Sequence, residues 1–179
     1  MCRLALLLAA AGCGAELGGG GTQVGSEIVD ASVQPDAVVM PDARPCTGTA
    51  APDGSCFVFV NTPVTYAAAK LACTNMNAHL AYLKTAALDT AAEAMIGTTN
   101  TWIGASDLAT EGTFLWDDGS ALAFTNWHAG EPNAGGPDAT YQEDCVIIAG
   151  ARVDKQWDDR PCDASEVANS GVFAYLCQY

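Results

Sequence analysis

Residues Gly130 to Cys162 read GEPNAGGPDATYQEDCVIIAGARVDKQWDDRPC, and three short pieces of this stretch hold five oxygen-bearing side chains of interest. GEPN (Gly130 to Asn133) offers Glu131 and Asn133, QEDC (Gln142 to Cys145) offers Glu143, and QWDDRPC (Gln156 to Cys162) offers Asp158 and Asp159. A hard cation such as calcium takes roughly six to eight oxygens and accepts carboxylates, side-chain amides and backbone carbonyls alike. Five side chains and a carbonyl leave space in such a shell for an oxygen from a ligand. Magnesium asks for stricter octahedral geometry and keeps its waters. Pro132, set between two of these residues, predicts a fixed turn that aims both neighbours at one point, a cis bond being one form of it. Asp, Glu and Asn also serve turn chemistry and solubility, so the pieces carry chemistry only where the chain brings them together.

Outward from this stretch, the chain from Cys46 holds every Trp, Tyr and Phe. SCFVFV (Ser55 to Val60) alternates as a strand does, and TYAAAKLACTNM (Thr65 to Met76) predicts a helix capped by Thr65, with Tyr66, Ala69, Cys73 and Met76 on one buried face. A second, Ala-rich helix is expected near Thr85 to Met95, stopped by Gly97. Short strand-like runs follow at Thr101 to Gly104, Thr113 to Trp116, Asp144 to Ile148 and Val172 to Cys177. The polar region from Ala121 to Asp144 has neither periodicity. A loop of that length in a compact domain is usually functional.

Before Cys46 the composition changes. Residues 14–45 contain a Gly run, several Pro and acidic residues and no aromatic, so they bury too little apolar surface to offset backbone entropy, and we expect a disordered tether there. Residues 1–13, MCRLALLLAAAGC, have the form of an export signal: one positive charge at Arg3, an apolar run from Leu4 to Ala11, then small residues. That run is too short for a bilayer core of ~30 Å, which takes roughly 20 helical residues. The small residues before Cys13 resemble the lipobox of bacterial lipoproteins, which implies lipidation of Cys13 and a surface-anchored protein. A plain secretory signal is the alternative.

Seven Lys and Arg against 21 Asp and Glu give a formal net charge of -14, which repels nucleic acid and anionic head groups. With Cys2 and Cys13 assigned to the leader, Cys46, Cys56, Cys73, Cys145, Cys162 and Cys177 remain as an even set, and export makes disulfides the default. Spacing alone selects none of the possible pairings. A zinc site is disfavoured, since no CxxC occurs and the two histidines, His79 and His128, lie far apart in sequence.

The motif order from Cys46 to Tyr179 resembles a long-form C-type lectin-like domain. It is carried by YxxAxxxC at Tyr66 to Cys73, NAHLA at Asn77 to Ala81, WIG at Trp102 to Gly104, NW at Asn126 to Trp127, EPN at Glu131 to Asn133 and WDD at Trp157 to Asp159. The resemblance implies an α+β fold over residues 46–179, with two helices packed on small antiparallel sheets and a long ligand-binding loop. It implies disulfides Cys46–Cys56, Cys73–Cys177 and Cys145–Cys162. It also implies a calcium ion held by Glu131, Asn133, Glu143, Asp158 and Asp159, with vicinal sugar hydroxyls meeting the ion and Glu131, Asn133, Glu143 and Asp158. The EPN form implies mannose-type ligands on glycans or glycoproteins. An auxiliary calcium site is implied at Asp107, Glu111 and Asp144 beside Glu143, with Asp138 of the insertion Ala134 to Tyr141 as a substitute ligand.

One departure stands out. Where the family usually has WND, Asp158 brings a carboxylate and no amide donor. Calcium binding is expected to persist or tighten, and sugar binding to weaken or change preference. The resemblance implies binding without covalent change. A protein-binding or adhesive module on the same fold is the rival reading, and an enzyme is disfavoured because no activated nucleophile or free acid–base pair is visible. The four tryptophans are expected mainly in the core, and His79 and His128 receive no chemical role.

Overall fold

Two strands at the middle of the sheet show why parts of this chain read as unbroken apolar runs. In chain order the elements are β1 (Thr49–Ala50), β2 (Cys56–Val64), α1 (Tyr66–Asn75), β3 (His79–Leu80), α2 (Ala86–Ile96), β4 (Thr101–Ser106), β5 (Leu115–Trp116), β6 (Cys145–Ile148), β7 (Trp157–Arg160) and β8 (Phe173–Gln178). Along β4, Trp102 packs into one apolar cluster while Ile103 and Ala105 pack into another. Along β6, Cys145 and Ile147 join the first cluster and Val146 and Ile148 the second. Side chains alternate between the faces of a strand, so both faces here are covered. Tyr66, Ala69 and Cys73 of α1 belong to the first cluster, and Leu88, Ala92 and Ile96 of α2 to the second.

The computed structural model describes residues 44–133, 142–163 and 171–179, and residues 44–179 form one compact unit. The leader, Cys13, nearly all of the expected tether and the insertion with Asp138 lie outside the described residues. The strands run in the order β1-β2-β8-β4-β6-β7, with β3 added to β8 and β5 to β4. The expected α+β arrangement is present. Its strands are joined into a single mixed sheet of eight, because β4 pairs in parallel with β8 while the other pairs are antiparallel.

Both helices start where capping chemistry predicts. The Thr65 side chain accepts from the Ala68 N–H at 3.4 Å, and that of Thr85 accepts from the Leu88 N–H at 3.3 Å. Gly97 ends α2 at φ 62°. Met76 departs from expectation: it is 38% exposed because it is the C-cap of α1, where φ -90° and ψ 10° leave the helical period. The strand expected over Thr113 to Trp116 shortens to the two residues of β5, and QWDDRPC, where no strand was expected, contains β7. Gly104 in β4 has a steric reason, since a Cβ there would sit 2.7 Å from the Tyr82 ring and 2.8 Å from the Leu80 carbonyl oxygen.

Disulfides Cys46–Cys56, Cys73–Cys177 and Cys145–Cys162 are all formed, as the resemblance implied. Cys73–Cys177 joins α1 to β8 across 104 residues of sequence. In the chain-entropy account, closing a loop of that length stabilises by roughly 4.7 kcal/mol. Replacing both cysteines by serine is therefore expected to lower stability by about 4 kcal/mol or more in urea unfolding, with the other two disulfides intact.

Candidate metal centre

The site is assembled on the outer strand of the sheet. β7 pairs with β6 on one side, and the Asn126 to His128 segment docks on the other. The Trp157 N–H donates to the Asn126 carbonyl at 2.7 Å, and the His128 N–H donates to the Trp157 carbonyl at 2.9 Å. An exposed strand edge offers unpaired backbone groups, and here the long polar loop takes them. From that anchor the chain turns at once. The Glu131 N–H donates to the His128 carbonyl at 2.9 Å, Gly130 adopts φ 100°, and the Glu131–Pro132 bond is cis. The Asn133 N–H then reaches the Asp159 carboxylate at 3.0 and 3.2 Å, and the Asn133 amide donates to Glu131 Oε2. Carboxylate oxygens of Glu131, Asp158 and Asp159 consequently lie within 4.8 Å of one another.

A buried carboxylate on α2 holds this junction from below. Asp89, 4% exposed, accepts from Trp157 Nε1 through Oδ1 and from Asn126 Nδ2 through Oδ2, each at 2.7 Å. One side chain therefore grips both partners of the edge pairing. Burial raises the Asp89 pKa, and the two donated hydrogen bonds oppose that rise.

Two arginines face the acidic group. Arg152 Nη2 lies 2.8 Å from Asp158 Oδ2 and 3.7 Å from Glu131 Oε1. Arg160 donates to the same Asp158 Oδ2 through Nη2 and approaches Glu143 Oε1 at 3.5 Å through Nη1. Burial raises the pKa of Glu131, the carboxylates of Asp158 and Asp159 raise it further, and the two arginines oppose them. Burial also leads the upward shift at Glu143, with Arg160 against it and Asp159, Asp158 and Glu131 adding to it. Among the described residues, four carboxylates thus share two guanidinium charges, which leaves two negative charges over. Oδ1 of Asp158, a residue 1% exposed, is buried without a partner among the described residues. A buried charged oxygen left unpaired is costly, and a divalent cation answers both the orphaned atom and the surplus charge. The residues present fit a calcium ion.

A second acidic group lies at the far end of β4. Asp107, Glu111 and Asp144 bring carboxylate oxygens within 4.8 Å of one another. Asp107, 3% exposed, accepts from the Gly112 N–H at 2.7 Å through Oδ2, while its Oδ1 is buried without a partner among the described residues. Glu111 accepts from Gln142 Nε2 at 2.9 Å. These residues also fit an oxygen-seeking cation.

Sequence reasoning had named Glu131, Asn133, Asp158 and Asp159 together, and the structure gathers all four. Glu143 joins them through Arg160 rather than through the close carboxylate group. Trp102, Trp116 and Trp157 are core residues, as expected, and Trp127 packs against the core edge-to-face with Trp157. His79 stacks on Tyr82, and His128 Nδ1 lies 2.8 Å from Asp154. Asp89, Arg152 and Arg160 were missed. A signal for the arginines did exist: three of the chain's seven cations, Arg152, Lys155 and Arg160, fall within one short stretch around the WDD motif.

A helix-flanked mixed sheet thus carries a close group of carboxylates at its edge. The family profile described as Lectin C-type domain matches residues 62–168, and the chain belongs to that family. It is 34% identical over 123 residues to the low affinity immunoglobulin epsilon Fc receptor of Mus musculus, matching 69% of this chain and 33% of the receptor. The chain thus spans about a third of that relative. It is 35% identical over 137 residues to the alpha-N-acetylgalactosamine-specific lectin of Patiria pectinifera, matching 70% of this chain and 74% of the lectin. Among solved structures, the cow carbohydrate-recognition domain of CD23, determined in the presence of GlcNAc2Man3 oligosaccharide, superposes with a TM-score of 0.60 at 27% identity. The match covers 70% of this chain and 87% of that one. A calcium-independent type II antifreeze protein superposes with a TM-score of 0.58 at 27% identity, covering 70% and 85%.

Two expectations follow for the metal-free chain. Asp89→Ala leaves a buried indole N–H unpaired and frees both partners of the edge pairing, so a loss of about 2 kcal/mol is expected in urea unfolding. Burial, opposed by the Gly112 N–H and aided by Glu111 and Asp144, pushes Asp107 from 3.8 up to about 6. A raised carboxylate means that the folded state holds more protons than the unfolded one, so stability falls as pH climbs through this interval. In chelator, the Tm from scanning calorimetry is expected to drop between pH 4 and 6, and Asp107→Asn to flatten that drop.

Proposed function

We propose that this chain is a calcium-dependent, carbohydrate-binding lectin whose ligand site is the Glu131, Asn133, Glu143, Asp158 and Asp159 group, and whose ligands are mannose-type glycans or glycoproteins. The observation that carries the reading is the convergence of Glu131, Asp158 and Asp159 within 4.8 Å around an unpartnered, buried Asp158 Oδ1. When bound, calcium supplies a positive centre on which neutral hydroxyl oxygens can be held without covalent change. Glu131 and Glu143 accept a hydroxyl proton, and Asn133 has an amide that donates to a hydroxyl oxygen, so each serves cation and sugar together. Asp107, Glu111 and Asp144 are proposed as an auxiliary calcium site. The Glu131-Pro132-Asn133 order favours mannose-type over galactose-type sugars, although a relative in this family is specific for alpha-N-acetylgalactosamine.

We place the protein outside the cell, exported by residues 1–13, anchored through Cys13 and held off the surface by residues 14–45. Among the described residues no helix is long and apolar enough to cross a membrane. Single sites for sugar hydroxyls are usually weak, and clustering on a surface raises effective affinity by avidity. A second reading, a protein-binding module with no sugar site, draws on Asp158 and on the likeness to a calcium-independent antifreeze protein.

The test is a glycan array probed with the oxidised full chain in calcium and in chelator. Signal on mannose-type or fucose-type glycans that chelator abolishes is the expected result. Silence on every glycan, with calcium still raising the Tm, selects the protein-binding reading. Asp159→Asn removes one charge from the cage, and calorimetric titration with calcium is expected to show affinity reduced about tenfold or more.

A further inference from the structure

Among the described residues, two buried atoms of opposite character stand unpartnered in one ion pair. Asp158 accepts from both Arg152 and Arg160 through Oδ2 alone, which leaves Oδ1 orphaned. Nη1 of Arg152 is likewise buried without a partner. Arg160 has no such deficit, since its Nη2 is given to Asp158 and its Nη1 to Glu143. The cage is therefore short of one cation, at Asp158 Oδ1, and of one acceptor, at Arg152 Nη1. A cation alone meets the first need and leaves the second unmet. A hydroxyl oxygen brought in beside that cation meets the second.

We propose that Arg152 is a specificity-determining residue of the ligand site, its Nη1 donating a hydrogen bond to a hydroxyl oxygen of a neutral vicinal diol. The inference rests on the calcium-dependent sugar reading above and deepens it. Asp158 is acceptor-only when ionised, so it cannot offer the donor that an amide at its position would. The pair would divide the work: Asp158 Oδ1 would help hold the cation, and Arg152, held by Asp158 Oδ2, would offer a donor to the sugar. The backbone supports this placement, because the Arg152 N–H donates to the Ala149 carbonyl at 2.9 Å and fixes the turn between β6 and β7. Charge favours a neutral diol over an acidic glycan, because the chain carries a net charge of -14 and the guanidinium is already shared with Asp158 and Glu131.

The experiment uses the oxidised full chain and two readouts: calorimetric titration with calcium chloride, and binding to mannose-conjugated albumin in saturating calcium. Arg152→Ala is expected to tighten calcium binding, because a competing positive charge leaves the cage, while binding to the conjugate falls roughly 10- to 100-fold. Adding Asp158→Asn to Arg152→Ala is expected to restore conjugate binding, since the new amide brings its own donor. Arg152→Ala that binds the conjugate as tightly as the unaltered chain overturns the proposal. So does a parallel loss of calcium and conjugate binding, which marks Arg152 as merely holding the turn. If the unaltered chain binds calcium but no glycan on the full array, the sugar reading itself fails and this inference falls with it.

Discussion

The candidate site depends on the backbone pairing between Trp157 and the Asn126 to His128 segment. β7 would otherwise present an open edge, and a polar loop without periodicity would have no reason to settle beside it. Two hydrogen bonds from a single residue, at 2.7 and 2.9 Å, place the loop in register with the strand. Glu131 and Asn133 follow within a few residues, so they arrive beside Asp158 and Asp159 by chain continuity. Asp89 makes the arrangement specific: its two oxygens bind one side chain from each partner, and slippage by one residue would leave a buried carboxylate and a buried indole unpaired. The carboxylate cage stands on an apolar, aromatic foundation in which Trp157 packs against Trp116, Phe124 and Trp127.

Much of this was legible in the sequence, for identifiable reasons. Thr65, Thr85 and Gly97 mark helix ends because capping is local chemistry, and the structure places the helices where those residues predict. The apolar runs of β4 and β6 were visible because both of their faces are buried. β7 was not, because its four residues, Trp157 to Arg160, include two aspartates and an arginine and carry no apolar alternation. Trp157 is buried by aromatic contact, but Asp158 and Asp159 are buried among ion pairs and hydrogen bonds, which a periodicity argument does not register. β1 and β3 were missed since two residues each are too few to show a period, and the parallel junction of β4 with β8 is a long-range pairing with no local signature.

The ligand residues show the same division. Glu131, Asn133, Asp158 and Asp159 could be named because their residue types suit a hard cation and their order resembles a family motif. Glu143 could be named, but its link to the group through Arg160 could not. Asp89 sits among alanines on a helix and looks like an ordinary polar position until its partners, 37 and 68 residues away, are known. Arg152 and Arg160 gave a compositional hint only, a local cluster of positive charge in a strongly acidic chain.

That cluster explains how the site tolerates Asp158. Burying a fourth carboxylate beside Glu131, Glu143 and Asp159 would be prohibitive without compensation, since like charges at such distances raise one another's cost of ionisation. Arg152 and Arg160 both converge on the same oxygen of Asp158, which neutralises the added charge and fixes the orientation of the carboxylate. The remaining imbalance of two negative charges, among the described residues, matches in magnitude the charge of one divalent cation. An aspartate at this position is therefore compatible with the surrounding carboxylates where guanidinium groups accompany it. The acidic motif and its arginines are one unit, in which the charge of Asp158 is balanced by Arg152 and Arg160.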